Sequence, residues 1–323
     1  MDRFSVDRIV QLRIFGNSPL GAFFRLNGWI WDHLPSSLMD LRPTRSYGHF
    51  LHALVRRWEN RRQYFGTFFL RNRPQLELMR QLSYQAEEAS TLRMAVLGCS
   101  NGAEVYSILA TLRSSRPDLR VVLHAVDISK EVLEIAQKGA YSLTSPEFVG
   151  ERIFQRLTET EINRMFDRTE DKVIVQSWIK EGTIWHAGDV RDPEMVKALG
   201  SQDIVVANNF LCHMSPLVAE ACLRDISRFV KQGGFLVVSG IDLDVRTRVA
   251  TDLRWKPVRE LLEESHDGDP SLRRDWPMNY WGLEPLDMSR QNWIVRYATA
   301  FQIGESAVLS SNDSLAHDQK VTN

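Results

Sequence analysis

The chain has 323 residues, 43% of them hydrophobic and 25% charged, with a formal net charge of −1. That length accommodates a full catalytic domain plus a smaller one, and the composition is ordinary for a soluble globular protein. The near-zero charge argues against a molecule that binds nucleic acid with its whole surface, and no apolar run reaches membrane-spanning length.

Taken in order, residues 1–93 hold 14 Arg and no Lys against 8 Asp plus Glu. The N-terminal third is therefore expected to carry a basic face, either a solvated helical surface or a dock for an acidic protein or substrate. Residues 1–90 are predicted to be helices interrupted at Asn17-Ser18-Pro19 and Pro35-Ser36-Ser37. One apolar face carries Phe23, Phe24, Leu26, Trp29, Ile30 and Leu34, and the next carries Phe50, Leu51, Leu54, Val55 and Trp58. The N-terminus lacks a signal-peptide pattern, so a cytoplasmic location is expected. Cys99, Cys212 and Cys222 lack C-x-x-C spacing and lie in or beside apolar runs, which argues for a reducing compartment and against disulfides or zinc.

Met94 to Leu97 is a short apolar run of the kind a buried strand needs. It breaks at Gly98 and Gly102 and resumes with helical spacing through Tyr106, Ile108 and Leu109. Strand, glycine turn and helix form the first unit of an open α/β sheet, whose ligands settle at the carboxyl ends of the strands. The glycine spacing is neither the phosphate-cradling nor the dinucleotide pattern. Val121 to Val126 ends in Asp127, where a ribose diol would be hydrogen-bonded. A third strand, Gly182 to Ala187, ends near Asp189, and a fourth, Asp203 to Ala207, ends in Asn208-Asn209. Four strand ends delivering small or polar residues, without a phosphate-binding lysine, favour a nucleoside-type ligand lacking a phosphate chain. S-adenosylmethionine is the commonest of these.

Lys172 to Ile179 and Gly182 to Gly188, joined at Lys180-Glu181-Gly182, read as an antiparallel hairpin. A helix Pro216 to Val230, a Gly233-Gly234 turn and a strand Phe235 to Ser239 follow. Trp276, Trp281 and Trp293 surround Pro277 and Pro285 in a segment read as a lid or loop packed on the sheet, before a closing strand from Asn292 to Gln302. Residues 304–323, rich in Ser, Asp and Asn, are expected to be a disordered tail.

Gly98-Cys-Ser-Asn-Gly-Ala-Glu-Val-Tyr-Ser107 resembles the G-C-S-x-G-E-E-x-Y-S signature of the chemotaxis receptor methyltransferase (CheR) family. Val126-Asp127-Ile128-Ser129 with Leu133, Ala136, Gly139 and Tyr141 is similar to that family's A-[ST]-D-I-x-x-x-x-L-x-x-A-x-x-G-x-Y. Leu157-Thr158 through Met165-Phe166 resembles its lead into a small β subdomain, and Ala207 to Met214 stands where the family has C-R-N-V-x-I-Y-F. The resemblance runs in unbroken order over roughly residues 60–255. It implies a Rossmann-like class I methyltransferase sheet in a bacterial, S-adenosylmethionine-dependent enzyme. The organisation it implies is an N-terminal helical domain (1–90) and a methyltransferase domain (91–303). Within the latter lie an inserted antiparallel β subdomain at about 146–188 and an additional segment at about 260–303.

The resemblance also implies roles. Asp127 holds the ribose, Asp189 and Val190 the adenine, and Gly98, Glu104 and Asn208 the methionine end, with Ser100, Gly102, Ile128 and Asn209 completing the cofactor set. Phe65 to Arg73 resembles the family's T-x-F-F-R, with Leu70 directly after the two phenylalanines and Arg71 following, so Arg71 is the candidate near the methyl-transfer site. Asn208 stands where the family has arginine and His213 where it has tyrosine, positions facing the substrate. A carboxylate acceptor needs no base; a hydroxyl does, and His213 is the histidine placed to serve. The expected activity is O-methylation of a carboxylate or hydroxyl on a small molecule or a protein side chain, leaning to an acceptor other than a receptor. The alternatives are chemoreceptor glutamate methylation and a non-catalytic regulator binding S-adenosylmethionine or S-adenosylhomocysteine. Nucleic-acid methylation is disfavoured, because the chain lacks a [DN]-P-P-[YF] motif.

Overall fold

The computed structural model describes residues 19–39, 41–59, 61–143 and 153–304. The expected break at Asn17-Ser18, the start of the expected insertion and the expected tail lie outside them.

Among the described residues there are ten strands, most of them separated by helices: β1 Thr91–Leu97, β2 Arg120–Asp127, β3 Ala140–Ser142, β4 Phe166–Arg168, β5 Lys172–Val175, β6 Thr183–Ala187, β7 Gln202–Asn208, β8 Val230–Ser239, β9 Lys256–Pro257 and β10 Ala300–Gln302. Seven of them form one sheet in the order β6-β2-β1-β7-β8-β10-β9. β6, β2, β1, β7 and β8 run parallel, while β10 is antiparallel to both β8 and β9. This is the expected Rossmann-like α/β sheet. Its order reverses between β1 and β7, and an open parallel sheet leaves a crevice at that point beyond the strand ends. Side chains of β1 alternate between two cores. Met94 and Val96 pack in one, Ala95 and Leu97 in the other, all at 0% exposure. A strand apolar on both faces needs cover on both, so the sheet lies between two layers of helices.

The expected hairpin is corrected. β5 pairs with β3 and β4 in a separate three-stranded antiparallel sheet, whereas Thr183–Ala187 joins the main sheet parallel to β2. A helical turn, Ser177–Lys180, separates the two stretches and buries Ile179 completely. Gly182 makes no hairpin turn. Its φ is +63°, and a Cβ there would meet the Val121 carbonyl oxygen at 2.6 Å, so glycine allows β6 to begin hard against β2.

The closing strand is also shorter than expected. Trp293–Tyr297 is helical, and only Ala300–Gln302 pairs with β8. Ile294-Val295 has strand-like bulk, but Arg296 forks onto both Glu284 oxygens at 2.5 and 2.9 Å and the Tyr297 hydroxyl bonds the same carboxylate at 3.0 Å. These buried contacts hold the segment helical. Upstream, β8 already begins at Val230, with Gly233-Gly234 inside it where the register against β7 shifts.

The N-terminal helices are Pro19–Asp32, Ser36–Met39 and Arg42–Trp58. Leu51 and Val55 face inward as expected, but Trp29 and Phe50 are 61% and 53% exposed. The tryptophan-rich segment packs on these helices. Trp276 meets Trp31 edge-on at 5.3 Å over Leu51, and a Cβ on Gly48 would strike the Trp276 ring at 2.3 Å. Part of the arginine surplus is paired within the protein. Arg56 pairs with Asp244, Arg61 with Asp242, Arg71 with Asp269 and Arg73 with Glu161. Among the described residues no helix is long and apolar enough to cross a membrane.

Candidate functional site

The loop after β1 is fastened to its neighbour and shaped by glycine. Gly98 and Cys99 donate to the Val126 carbonyl at 2.9 and 3.0 Å, fastening the loop to the end of β2. Gly98 has φ +71°, and any Cβ would lie 2.8 Å from the Phe210 ring, so only glycine fits. Ser100 donates its backbone N–H to Asp127 Oδ2 at 2.8 Å, and Ser129 donates to Oδ1 at 3.0 Å. Asp127 is 6% exposed; burial raises its carboxyl, and backbone N–H groups partly offset that. Each carboxylate oxygen keeps a lone pair after these bonds.

Glu104 lies in the first turn of the helix Ala103–Ser115. Burial raises its carboxyl above 4.5, opposed by Asn208. Asn208, the last residue of β7, donates from Nδ2 to Glu104 Oε1 at 2.6 Å and to Gln75 Oε1 at 2.7 Å, and its Oδ1 accepts from Ser239 at 2.8 Å. Both of its N–H groups are thus taken within the protein, which leaves none for a substrate carboxylate. Asn208 organises Glu104 instead. Asn209, at φ +60°, follows with its Oδ1 buried and, among the described residues, without a partner.

Arg71 does not sit on a helix: residues 61–72 are irregular, and the helix Arg73–Ser83 starts after it. Leu70, at φ +50°, turns into the core. Arg71 then reaches the cavity and donates from Nε to Asp269 Oδ2 at 2.5 Å, while Arg156 pairs with the other Asp269 oxygen at 3.0 Å. His213 closes a 3-10 turn, Leu211–His213, with Nδ1 2.8 Å from the Tyr280 hydroxyl. Burial, then the Arg61 and Arg71 guanidinium groups, lower its pKa to about 4. Asp189 is held by Arg191 at 2.6 Å, which lowers its carboxyl, and Val190 is buried beside it.

Gly98, Ser100, Glu104, Asp127, Ile128, Asp189, Val190, Asn208, Asn209, Arg71 and His213 all border one cavity of about 310 Å³. Gly102 does not. It caps the helix N-terminus at φ +87°, where a Cβ would meet Ala136 at 3.0 Å, so its work is packing. Five residues near this cavity carried no local signal: Gln75, Asp269, Arg246 and Tyr64 border it, and Tyr280 backs His213. Asp269, Arg246 and Tyr280 reach it from elements distant in sequence, while Tyr64 and Gln75 flank Arg71 outside the motif.

Residues 66–243 match the family described as CheR methyltransferase, SAM binding domain. A chemotaxis protein methyltransferase of Campylobacter jejuni subsp. jejuni serotype O:2 is 29% identical over 179 residues, 55% of this chain and 63% of that protein. Its counterpart in serotype O:23/36 is 28% identical over the same extent. The chain thus spans less than two thirds of the length of these curated relatives. Magnesium protoporphyrin IX methyltransferase (ChlM) from Synechocystis PCC 6803 with bound SAM covers 58% of this chain and 71% of its own, at 14% identity and a TM-score of 0.34, too slight a likeness to argue from. With the glycine loop, Asp127 and the strand-end asparagines gathered on one cavity inside the matched segment, the chain belongs to the CheR methyltransferase family and carries its S-adenosylmethionine-binding domain.

Proposed function

We propose that the protein is an S-adenosylmethionine-dependent O-methyltransferase whose acceptor atom is a carboxylate oxygen. The residues suit the cofactor. The remaining lone pairs of Asp127 would take the ribose hydroxyls, Ile128 and Val190 would flank the adenine with Asp189, and Glu104 would take the methionine ammonium. The orphaned Gln75 Nε2 and Asn209 Oδ1 gain partners at that same end. Bound S-adenosylmethionine supplies a methyl group on a sulfonium, and transfer is an in-line displacement. The chain's work is to position the acceptor and exclude water.

One observation carries the choice of acceptor: His213 is neutral and weakly basic, with its pKa lowered to about 4 and Nδ1 engaged by Tyr280. Such an imidazole is a poor base for a hydroxyl, whereas a carboxylate at neutral pH is already a nucleophile. The acceptor is a small acid rather than a receptor side chain. The family's substrate-side arginine is replaced by Asn208, whose amide is used within the protein, and Arg71 is held by Asp269. Arg71 and His213, which border the same cavity, would line the acceptor's approach rather than transfer protons.

The test is cofactor titration of the wild type and Asp127→Ala, followed by labelled methyl transfer to a panel of organic acids. The expected outcome is cofactor binding that Asp127→Ala abolishes, and a product whose methyl is released as methanol by mild alkali. An alkali-stable methyl ether overturns the carboxylate reading. Tight cofactor binding without turnover on any acceptor makes the protein a regulatory binder instead.

A further inference from the structure

Among the described residues, six buried side-chain atoms bordering the cavity have no hydrogen-bond partner: Gln75 Nε2, Asn209 Oδ1, Arg246 Nε, Ser265 Oγ, His266 Nδ1 and Thr299 Oγ1. Each such group left unmet is destabilising, and a charged one more so. Their concentration on one space therefore points to an occupant. Gln75 and Asn209 adjoin Asn208, at the end assigned to the cofactor's methionine. The other four lie past residue 243, where the family match stops. Arg246 is on the helix Leu243–Asp252, Ser265 and His266 are on the helix Leu262–Asp267, and Thr299 immediately precedes β10. All four are 1–4% exposed.

Their hydrogen-bonding polarity is determined by their other contacts. Arg246 donates from Nη1 to the Val238 carbonyl at 2.8 Å and from Nη2 to the Arg296 carbonyl at 2.7 Å. Among the described residues no carboxylate stands within ion-pair distance of it, so Nε–H remains a charged donor without an acceptor. His266 Nε2 lies 3.0 Å from the Glu284 carbonyl oxygen, which only accepts. Nε2 therefore carries the proton and Nδ1 is a bare acceptor. Burial holds that ring neutral, with a pKa lowered to about 3. The Ser265 and Thr299 hydroxyls serve either way. The complementary ligand has a negatively charged acceptor group and, beside it, one hydrogen-bond donor.

We propose that Arg246, Ser265, Thr299 and His266 form an acceptor subsite that reads a carboxylate bearing a hydroxyl on the adjacent carbon. The carboxylate accepts from Arg246 and the two side-chain hydroxyls, and the ligand hydroxyl donates to His266 Nδ1. An ammonium in place of that hydroxyl would sit beside the buried Arg246 cation, so 2-amino acids are disfavoured. The assignment rests on the methyltransferase reading for its purpose, but the binding chemistry belongs to these four residues alone.

The probes are lactate, propionate and alanine, titrated calorimetrically into the full chain with and without saturating S-adenosylhomocysteine. Lactate is expected to bind saturably. Propionate, lacking one hydrogen bond, should bind about tenfold more weakly, and alanine more weakly than lactate. His266→Phe should bring lactate down to the propionate level and leave propionate unchanged. Thr299→Val, nearly isosteric, should weaken both acids, and Arg246→Met should abolish both; Thr299→Val carries the test if Arg246→Met does not fold. S-adenosylhomocysteine affinity should hold in all three. If it falls in parallel with the acids, the cluster belongs to the cofactor's amino-acid end and the proposal is overturned. Absence of lactate binding, or lactate binding indifferent to His266→Phe, leaves only ordered water in the cluster and overturns it too. Lactate binding as expected in a protein that takes no S-adenosylhomocysteine refutes the methyltransferase reading and leaves the subsite standing.

Discussion

Glu104→Gln separates the cost of the candidate cofactor site from its use. The side chain keeps its shape, and the Asn208 bond to Oε1, 2.6 Å long, survives because glutamine retains an oxygen there. Charge is what changes. Burial raises the Glu104 carboxyl above its ordinary 4.5. A carboxyl with a folded pKa above its unfolded one loses stability as pH rises from the unfolded value through the folded value, and the loss persists above that. Glutamine has nothing to ionise, so the cofactor-free variant should melt higher than the wild type at neutral pH. On the proposed placement of the cofactor, the methionine ammonium should lose a charge-assisted hydrogen bond worth about 1.5–3 kcal/mol, which would weaken cofactor binding by about 10- to 150-fold. Scanning calorimetry of the cofactor-free protein and titration with S-adenosylmethionine across acidic to neutral pH read both effects. Wild-type affinity should decline on acidification through the Glu104 pKa, and the variant's should not show that decline. A variant that binds the cofactor as tightly as the wild type would show that the ammonium is not at Glu104. A variant that melts lower would show that burial of the ionised carboxylate is not the dominant cost.

Two further outcomes follow from the contacts. Arg61 donates to the Cys212 and Met214 carbonyls at 2.9 and 2.8 Å and to Asp242 at 2.9 Å, with the two side chains 8% and 6% exposed. Arg61→Ala leaves Asp242 short of its closest cation, and urea unfolding should register a loss of about 3–5 kcal/mol. A loss under about 1 kcal/mol, the value of an exposed pair, would contradict that burial argument. His52 and His266 are lowered to about 3 and His213 to about 4, burial being the first cause in each. Folded pKa values below the unfolded 6.5 mean that the unfolded chain takes up protons first. Stability should therefore fall as pH drops through 6.5 towards 4. Thermal melts at mildly acidic pH, before most carboxylates titrate, check this; a flat melting temperature there is the contrary result.

The glycine loop and Asp127 were legible because their signals are local. An apolar run, a break at glycine and an acidic residue closing the next run each lie within a few residues, and backbone sterics at φ +71° leave Gly98 no substitute. Pairing was less legible. Lys172 to Gly188 reads equally as a hairpin or as two separate strands, because the alternation of side chains is the same in both. Only the proximity of β2 assigned β6 to the main sheet. Trp293–Tyr297 misled for a similar reason: β-branched bulk suits a strand, and the deciding contact is a buried carboxylate on Glu284.

The site divides the same way. By itself the sequence determined the sheet type, the nucleoside-sized crevice at its strand ends and the family, all of which follow from short-range pattern. Tertiary structure alone decided that Asn208 is bound up with Glu104 and Gln75, that Arg71 answers to Asp269 across 198 residues, and that His213 is backed by Tyr280. It alone brought Arg246, Ser265, His266 and Thr299 to the border of the same cavity. Hydrogen-bond partners and desolvation depend on what is near in space, and chain order carries no direct record of that.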